Sequence, residues 1–321
     1  SLRGGQRIRQ GVEKRYSCIS GGGTIILMFE PISPERQSDY LELLNGCPQV
    51  ASDYSFLNLW AWADEYGLCW AWEDNLVWIR QTKPDELLWA PVGFWDRIDW
   101  RTRLIENGNR QSNFIRVPQQ LAESWRTSLG ELAFIEEERG HWDYLYAASD
   151  LAELKGNRYH KKKNLLNQFV KKYDYTYVPF EPELIEQAMA MQDDWCTWRD
   201  CESSDILSAE NKSISRIFKS WDQLSGALGG AILVDGAMAA YTVAEALTNE
   251  TVVIHFEKGN TRYKGIYQAI NQMFIAHSAR HFSLVNREQD LGDPGLRKAK
   301  QSYHPAEFLK KYRVTLKISD H

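Results

Sequence analysis

Hydrophobic and polar positions fall into two blocks that read alike, each a helix followed by short strands. In the first, Phe56, Leu59, Trp60 and Ala63 recur at helical spacing between Ser55 and Tyr66, and Gly67 stands where a helix C-cap belongs. Leu68 to Trp72 and Leu76 to Arg80, separated by Glu73, Asp74 and Asn75, predict a hairpin, and Leu87 to Val92 a further extended piece. In the second block, Pro182 to Trp195 predicts a helix. Ala231 to Val234, Ala237 to Ala246 and Val252 to Lys258 then predict three antiparallel strands, the first two joined by the turn Asp235-Gly236. Ile266, Ala269, Ile270, Met273 and Phe274 mark one face of a helix from Gly265 to Ser278. A strand from Phe282 to Glu288 follows, then a helix opened by Asp293 as N-cap with Pro294 in its first position, then an extended piece from Tyr312 to Lys317. Between the blocks, Leu151 to Tyr173 predicts one basic helix whose Leu166, Phe169 and Tyr173 give it a buried face. No Gly/Ser-rich or Pro-rich linker divides the chain, so the halves, 28–150 and 151–321, are expected to pack as one body.

Composition narrows the class. The 43% hydrophobic and 25% charged fractions of the 321 residues exclude disorder and collagen-like repeats. No apolar run approaches the roughly 20 residues that cross a bilayer, the best, Ala227 to Val243, being interrupted by Asp235. Cys18, Cys47, Cys69, Cys196 and Cys201 are odd in number and lack CxxC spacing, so neither a disulfide framework nor a zinc knuckle is indicated. A cytoplasmic location, peripheral to a membrane at most, is the expectation. Residues 1–27 hold Arg3, Arg7, Arg9, Lys14 and Arg15 against Glu13 and read as an extension or remnant ahead of Met28. Without them the formal charge falls from −5 to −9, which argues against DNA as a partner.

Two segments carry candidate chemistry. From His255 to Asn271 a strand, a glycine-bearing loop and a helix follow one another, an arrangement that turns free backbone N–H groups and a helix dipole toward an anion. Arg262, Lys264, Gly265 and Tyr267 are its donor-binding candidates; an ordinary loop and helix cap is the alternative. From Val285 to Pro305, a strand continued through Asp290 would place Asn286, Glu288 and Asp290 on one face, with Arg297 and Lys300 three apart on the next helix. A substrate site and a structural ion-pair network are equally good readings of that set. Tyr303 and His304 can serve as acid or base or simply pack. Lys161, Lys162 and Lys163 suit phosphates, whether of a tRNA or a lipid headgroup, or form a solvated face. His277 and His281, four apart, lack a third ligand, so no metal site is expected. The many tryptophans before residue 143 read as core.

On these residues the chain resembles the family of the C-terminal domain of phosphatidylglycerol lysyltransferase. The likeness rests on Ser52 to Trp62, Tyr144 to Tyr146 with Leu151 to Asn164, Gly265 to Asn271, and above all Asn286 to Lys300 with Ser302 to Pro305. The spacing Arg262-x-x-Gly265 also resembles the acyl-donor loop of the GNAT superfamily, with Tyr267 in a place that normally holds a small residue. The resemblance implies an α+β fold of two tandem GNAT-like domains, each a mostly antiparallel sheet flanked by helices. It is similar to Fem-type transferases, which move an aminoacyl group from aminoacyl-tRNA to an amine or hydroxyl.

The expected function is therefore an acyl or aminoacyl transferase with no permanently bound cofactor. Aminoacyl-tRNA or acyl-CoA is the donor, and a small molecule or lipid headgroup the acceptor. Glu288, Asp290 and Tyr303 are the catalytic candidates. Asn286, Arg297, Lys300, Lys161, Lys162 and Lys163 are the substrate- or phosphate-binding ones. An acetyl-CoA-dependent N-acetyltransferase and a non-catalytic ligand-binding protein on the same scaffold remain open alternatives.

Overall fold

A computed structural model describes residues 16–20, 23–106 and 113–317; most of the leading segment, 1–15 and 21–22, lies outside them. Strands β1 (Tyr16–Ser20) and β2 (Gly23–Leu27) form a hairpin, and β3 (Glu30–Pro31) follows. Helix α1 (Gln37–Asn45) leads to α2 (Phe56–Tyr66), which starts where expected because the Ser55 hydroxyl accepts from Asn58 N and stops because Gly67 takes φ +58°. Next come β4 (Cys69–Glu73), β5 (Leu76–Gln81), β6 (Leu87–Trp89), β7 (Val92–Gly93), β8 (Asn113–Pro118), α3 (Gln119–Leu129) and β9 (Ala133–Glu137). They build a sheet ordered β3-β4-β5-β6-β8, with β7 against β5.

The second sheet opens with β10 (Asp143–Ala147), then α4 (Ala148–Glu153), α5 (His160–Lys172), β11 (Tyr175–Pro179), α6 (Ile185–Arg199) and α7 (Asp205–Lys219). The chain continues through β12 (Ala227–Val234), β13 (Ala237–Ala246), β14 (Thr251–Gly259), α8 (Ile266–His277), β15 (Leu284–Asn286), α9 (Pro294–Gln301) and β16 (Glu307–Leu309). Its order is β11-β12-β13-β14-β15-β10-β16, and the last strand, β17 (Lys311–Leu316), returns to the first sheet between β8 and β9. Sheet membership therefore does not change at residue 150: the chain crosses once before Asp143 and back again at Lys310.

Three expectations shift. The single basic helix is two, α4 and α5, broken where Leu154 and Gly156 take positive φ. The strand expected from Phe282 to Glu288, whose continuation would have reached Asp290, is Leu284–Asn286 and stops there because Glu288 adopts φ +56°. Cys196 and Cys201 form a disulfide, Cα atoms 5.0 Å apart, across the tight turn that ends α6. Spacing alone gave no sign of it, since the turn, not the sequence, brings the two sulfurs together.

One apolar core runs through both halves. Trp70, Trp78, Trp89, Phe114 and Trp125 of the first belong to the same cluster as Phe218, Tyr241 and Phe256 of the second. Beside it lies a buried charge network at the two crossing points. Lys311 pairs with Asp143 at 2.7 Å and also with Asp53, which Arg116 holds from another side. Asp143 further accepts from Ser52 N at 2.8 Å, Ser52 Oγ at 2.7 Å and Asn286 Nδ2 at 2.9 Å; Gln289 Nε2 reaches Asp53 at 2.9 Å. Two carboxylates meet two cations, so the cluster is neutral overall. Burial alone would raise the Asp53 pKa, but Lys311 and Arg116 outweigh it and hold the carboxyl well below the usual range.

Lys311→Met leaves Asp53 and Asp143 buried without their shared cation, and the expected loss is about 3–5 kcal/mol by urea unfolding at pH 7. Because the folded Asp53 pKa is depressed, its contribution is present above about pH 4 and drains away at lower pH. The gap between wild type and variant therefore narrows as pH falls from about 5 to 2. A loss under about 1 kcal/mol, or a gap that widens with acid, would contradict this account of the network.

Candidate active site

Strands β14 and β15 run parallel but pair only at Thr251 with Leu284, Val252 with Val285 and Val253 with Asn286. Beyond that point β14 stays with β13 as far as Gly259, whereas the other chain turns to β10: Arg287 N donates to Tyr144 O at 3.0 Å and Tyr144 N to Glu288 O at 3.2 Å. The two strands part, and a wedge opens between them. A bulge near its closed end, where Val243 faces Phe256 but Ala244 faces Ile254, leaves His255 without an opposite residue.

The wedge is polar. From β14, Glu257 receives Arg287 Nη2 at 3.0 Å and, from α8, Asn271 Nδ2 at 3.1 Å. Arg287 Nη1 and Asn271 Oδ1 are buried and, among the described residues, without a hydrogen-bond partner. One is a donor and one an acceptor, both adjacent to Glu257, and each keeps an unused hydrogen bond. The Tyr303 ring lies between two cations, Arg287 at 4.9 Å and Lys162 at 4.1 Å, and Tyr146 stands 5.9 Å from the same guanidinium. Lys300 donates to the Arg287 carbonyl. Burial, helped by the Arg287 cation, pushes the Lys300 ammonium down to about 8 against the pull of Glu288, Asp143 and Glu257. Burial lowers Lys162 as well, again with Arg287 contributing, and raises the Tyr303 hydroxyl.

The sequence candidates divide. Glu288 is partly exposed at the wedge mouth, its Oε1 2.7 Å from His255 Nδ1. Asp290, two residues on, is fully buried: Arg297 grips it through two bonds of 2.8 and 2.9 Å, Tyr144 OH at 2.6 Å, Arg139 at 3.2 Å and Gly292 N at 2.9 Å. Desolvation opposes its ionisation, yet these donors hold the carboxyl well below its usual range. Asp290 and Arg297 thus pin the 287–293 loop and leave no oxygen for an acceptor. Asn286 is likewise occupied, donating to Asp143 and accepting from Glu288 N at 2.8 Å.

The donor-loop residues follow directly on β14, between its end at Gly259 and the start of α8. Arg262 and Lys264 are exposed, the former 5.4 Å from the Trp198 ring. Gly265 takes φ +90°, and a Cβ there would stand 2.3 Å from the Leu165 carbonyl oxygen, so close approach of α5 already requires glycine. Tyr267 OH accepts from Trp195 Nε1 at 3.3 Å, away from the helix tip. Lys161 and Lys163 are exposed; only Lys162 of the three turns inward. Sequence reading passed over Glu257, Asn271, Arg287 and Tyr146. The period-two pattern that drew attention to Glu288 does not mark residues gathered from four separate elements.

Two helix-flanked sheets, each with a single parallel pair among the described strands, define an α+β fold. The chain belongs to the family "Phosphatidylglycerol lysyltransferase, C-terminal", which matches residues 45–315. A conserved protein of unknown function from Bacteroides thetaiotaomicron VPI-5482 is 28% identical, with TM-score 0.83 over 91% of this chain and 100% of that one. L-PGS from Bacillus licheniformis has 13% identity and TM-score 0.62 over 91% and 94% of the two chains. FemX has 7% identity and TM-score 0.55 over 89% and 97%. At such identities the last two speak for the fold alone. No helix among the described residues is long and apolar enough to cross a membrane.

If the Arg287 guanidinium depresses Lys300, Arg287→Gln moves the Lys300 pKa upward from about 8 toward the ordinary lysine value, because a cation is lost and Glu257 is left unbalanced. NMR titration of the lysine Cε and Nζ resonances reads the change. An unchanged or lower value contradicts the proposed coupling.

Proposed function

We propose that the chain transfers an aminoacyl group from aminoacyl-tRNA to an amine or hydroxyl acceptor, within the wedge between β14 and β15. The observation that carries this reading is the pair of buried unpartnered atoms, Arg287 Nη1 and Asn271 Oδ1, beside a carboxylate in an opened parallel strand pair. Arg287 Nη1 meets the donor carbonyl oxygen and stabilises the charge that grows there as the acceptor attacks. Glu288 takes the acceptor's proton while the new C–N or C–O bond forms. The ester bond to the tRNA ribose then breaks, and the departing oxygen receives a proton from the Lys300 ammonium, whose lowered pKa suits it to release one. Solvent returns a proton to Lys300 and removes the one on Glu288. Tyr303 holds Arg287 and Lys162 by its ring, a role that fits its raised hydroxyl pKa better than proton transfer does. Exposed Lys161, Lys163, Arg262 and Lys264 are left to meet phosphates of the donor.

The test offers the protein labelled aminoacyl-tRNAs and labelled acetyl-CoA in parallel, each with small amines and with phosphatidylglycerol vesicles as acceptors. Consumption of aminoacyl-tRNA, with at least about a hundredfold loss in Arg287→Ala that still folds at the assay temperature, is the expected result. Consumption of acetyl-CoA alone, or full activity in Arg287→Ala, overturns the reading.

A further inference from the structure

Glu288 has a backbone fixed at both ends, its N–H on Asn286 Oδ1 and its carbonyl on Tyr144 N, in a conformation of φ +56° that non-glycine residues rarely adopt. Its side chain is fixed at one oxygen only. Oε1 faces His255 Nδ1 at 2.7 Å, whereas no hydrogen bond to Oε2 occurs among the described residues. Behind Glu288, His255 is enclosed, its side chain only 2% exposed, and its other nitrogen lies 3.4 Å from Ser55 Oγ. Ser55 belongs to the first half of the chain, where it caps α2. Its hydroxyl also bonds Glu245 of β13, a carboxylate that accepts from Leu57 N at 2.9 Å and from Phe56 N at the same helix tip.

The bond directions follow from the inventory of protons. Ser55 has one hydroxyl proton, which goes to Glu245; Oγ is then an acceptor, for Asn58 N–H at 3.3 Å and for His255 Nε2–H. An ionised Glu288 is acceptor-only, so Nδ1 carries a proton too. With both acids ionised the ring is an imidazolium set between Glu288 and Glu245, although burial raises the Glu245 carboxyl above its ordinary value. Desolvation works against that charge, but Glu288 and Glu245 outweigh it and raise the His255 pKa above its ordinary value. The remaining ionisable neighbours act at one remove: Lys300 of α9 faces Glu288, and Tyr40 of α1 faces Glu245.

We propose that His255 is a positioning residue for Glu288: anchored through Ser55 and Glu245 against the N-terminus of α2, it fixes Oε1 and so presents Oε2 to the acceptor. This rests on the reading above that Glu288 takes the acceptor's proton. It adds that the first half of the chain, through Ser55, helps to aim the base of the second.

Two measurements decide it. Long-range proton–nitrogen NMR of the histidine rings is expected to show His255 protonated at both nitrogens at pH 7, and Glu288→Gln is expected to lower its titration midpoint at least tenfold in proton affinity. A neutral His255 at pH 6, or a midpoint indifferent to Glu288→Gln, overturns the proposal. In the transfer assay His255→Ala is expected to cut kcat at least tenfold with the donor KM within twofold, and His255→Gln, whose amide still donates to Oε1, to recover part of it. Normal kcat in His255→Ala overturns the proposal, as does an equal loss in both variants when both keep the wild-type melting temperature. Should the wild-type protein move no aminoacyl group at all, the functional reading fails, and the NMR titration alone judges the His255–Glu288 pair.

Discussion

The structure depends on a buried, electrically neutral meeting of Asp53, Asp143, Arg116 and Lys311 at the points where the chain passes from one sheet to the other and back. Ion pairs so deep are costly to desolvate and add little net stability over apolar packing, but their geometric demands are strict. Here those demands fall on register. Lys311 begins the strand that inserts between β8 and β9, and Asp143 begins the strand that receives β15 and β16. A slip at either place strands a charge, so the network fixes how the two sheets sit together.

That fixed relation opens the wedge. With Asn286 tied to Asp143, and residues 287 and 288 bonded to Tyr144, the segment after β15 is committed to β10 and leaves β14. The Asp290–Arg297 clamp completes the turn from behind. Two acids, two residues apart, thus do different work: Asp290 is sealed among cations to shape the loop, and Glu288 is delivered to the mouth. The opening is lined by groups from β14, α8, the loop after β15, and α9, none of which could form a site alone.

Much of this was legible in the sequence where local physics decides. Helix α2 with its Gly67 cap, the β4–β5 hairpin, the β12–β13 turn and the Asp293-Pro294 start of α9 all follow from short-range rules, and they stand as expected. What the sequence hid was set by distant partners. Positive φ at Glu288 and Leu291 depends on bonds to β10 and Gly140, which no alternation of residues announces. Asn286 to Lys300 was read as one set, but burial divides its charges: Asp290 is sealed with Arg297 in the clamp, and Glu288 stays partly exposed. Ser52 and Asp53, which entered only as part of a resemblance, and Ser55, which entered only as the start of a helix, are residues by which the first half reaches the second.

The central claim is that the wedge between β14 and β15 receives the group being transferred. A crystal structure with a non-hydrolysable copy of a charged tRNA 3′ end, an aminoacyl group joined to adenosine through an amide, tests it most directly. The account predicts the amide carbonyl oxygen within hydrogen-bond distance of Arg287 Nη1, with Asn271 Oδ1 engaged beside it. Bound ligand elsewhere on the protein, with both of those atoms still unpartnered, would contradict it.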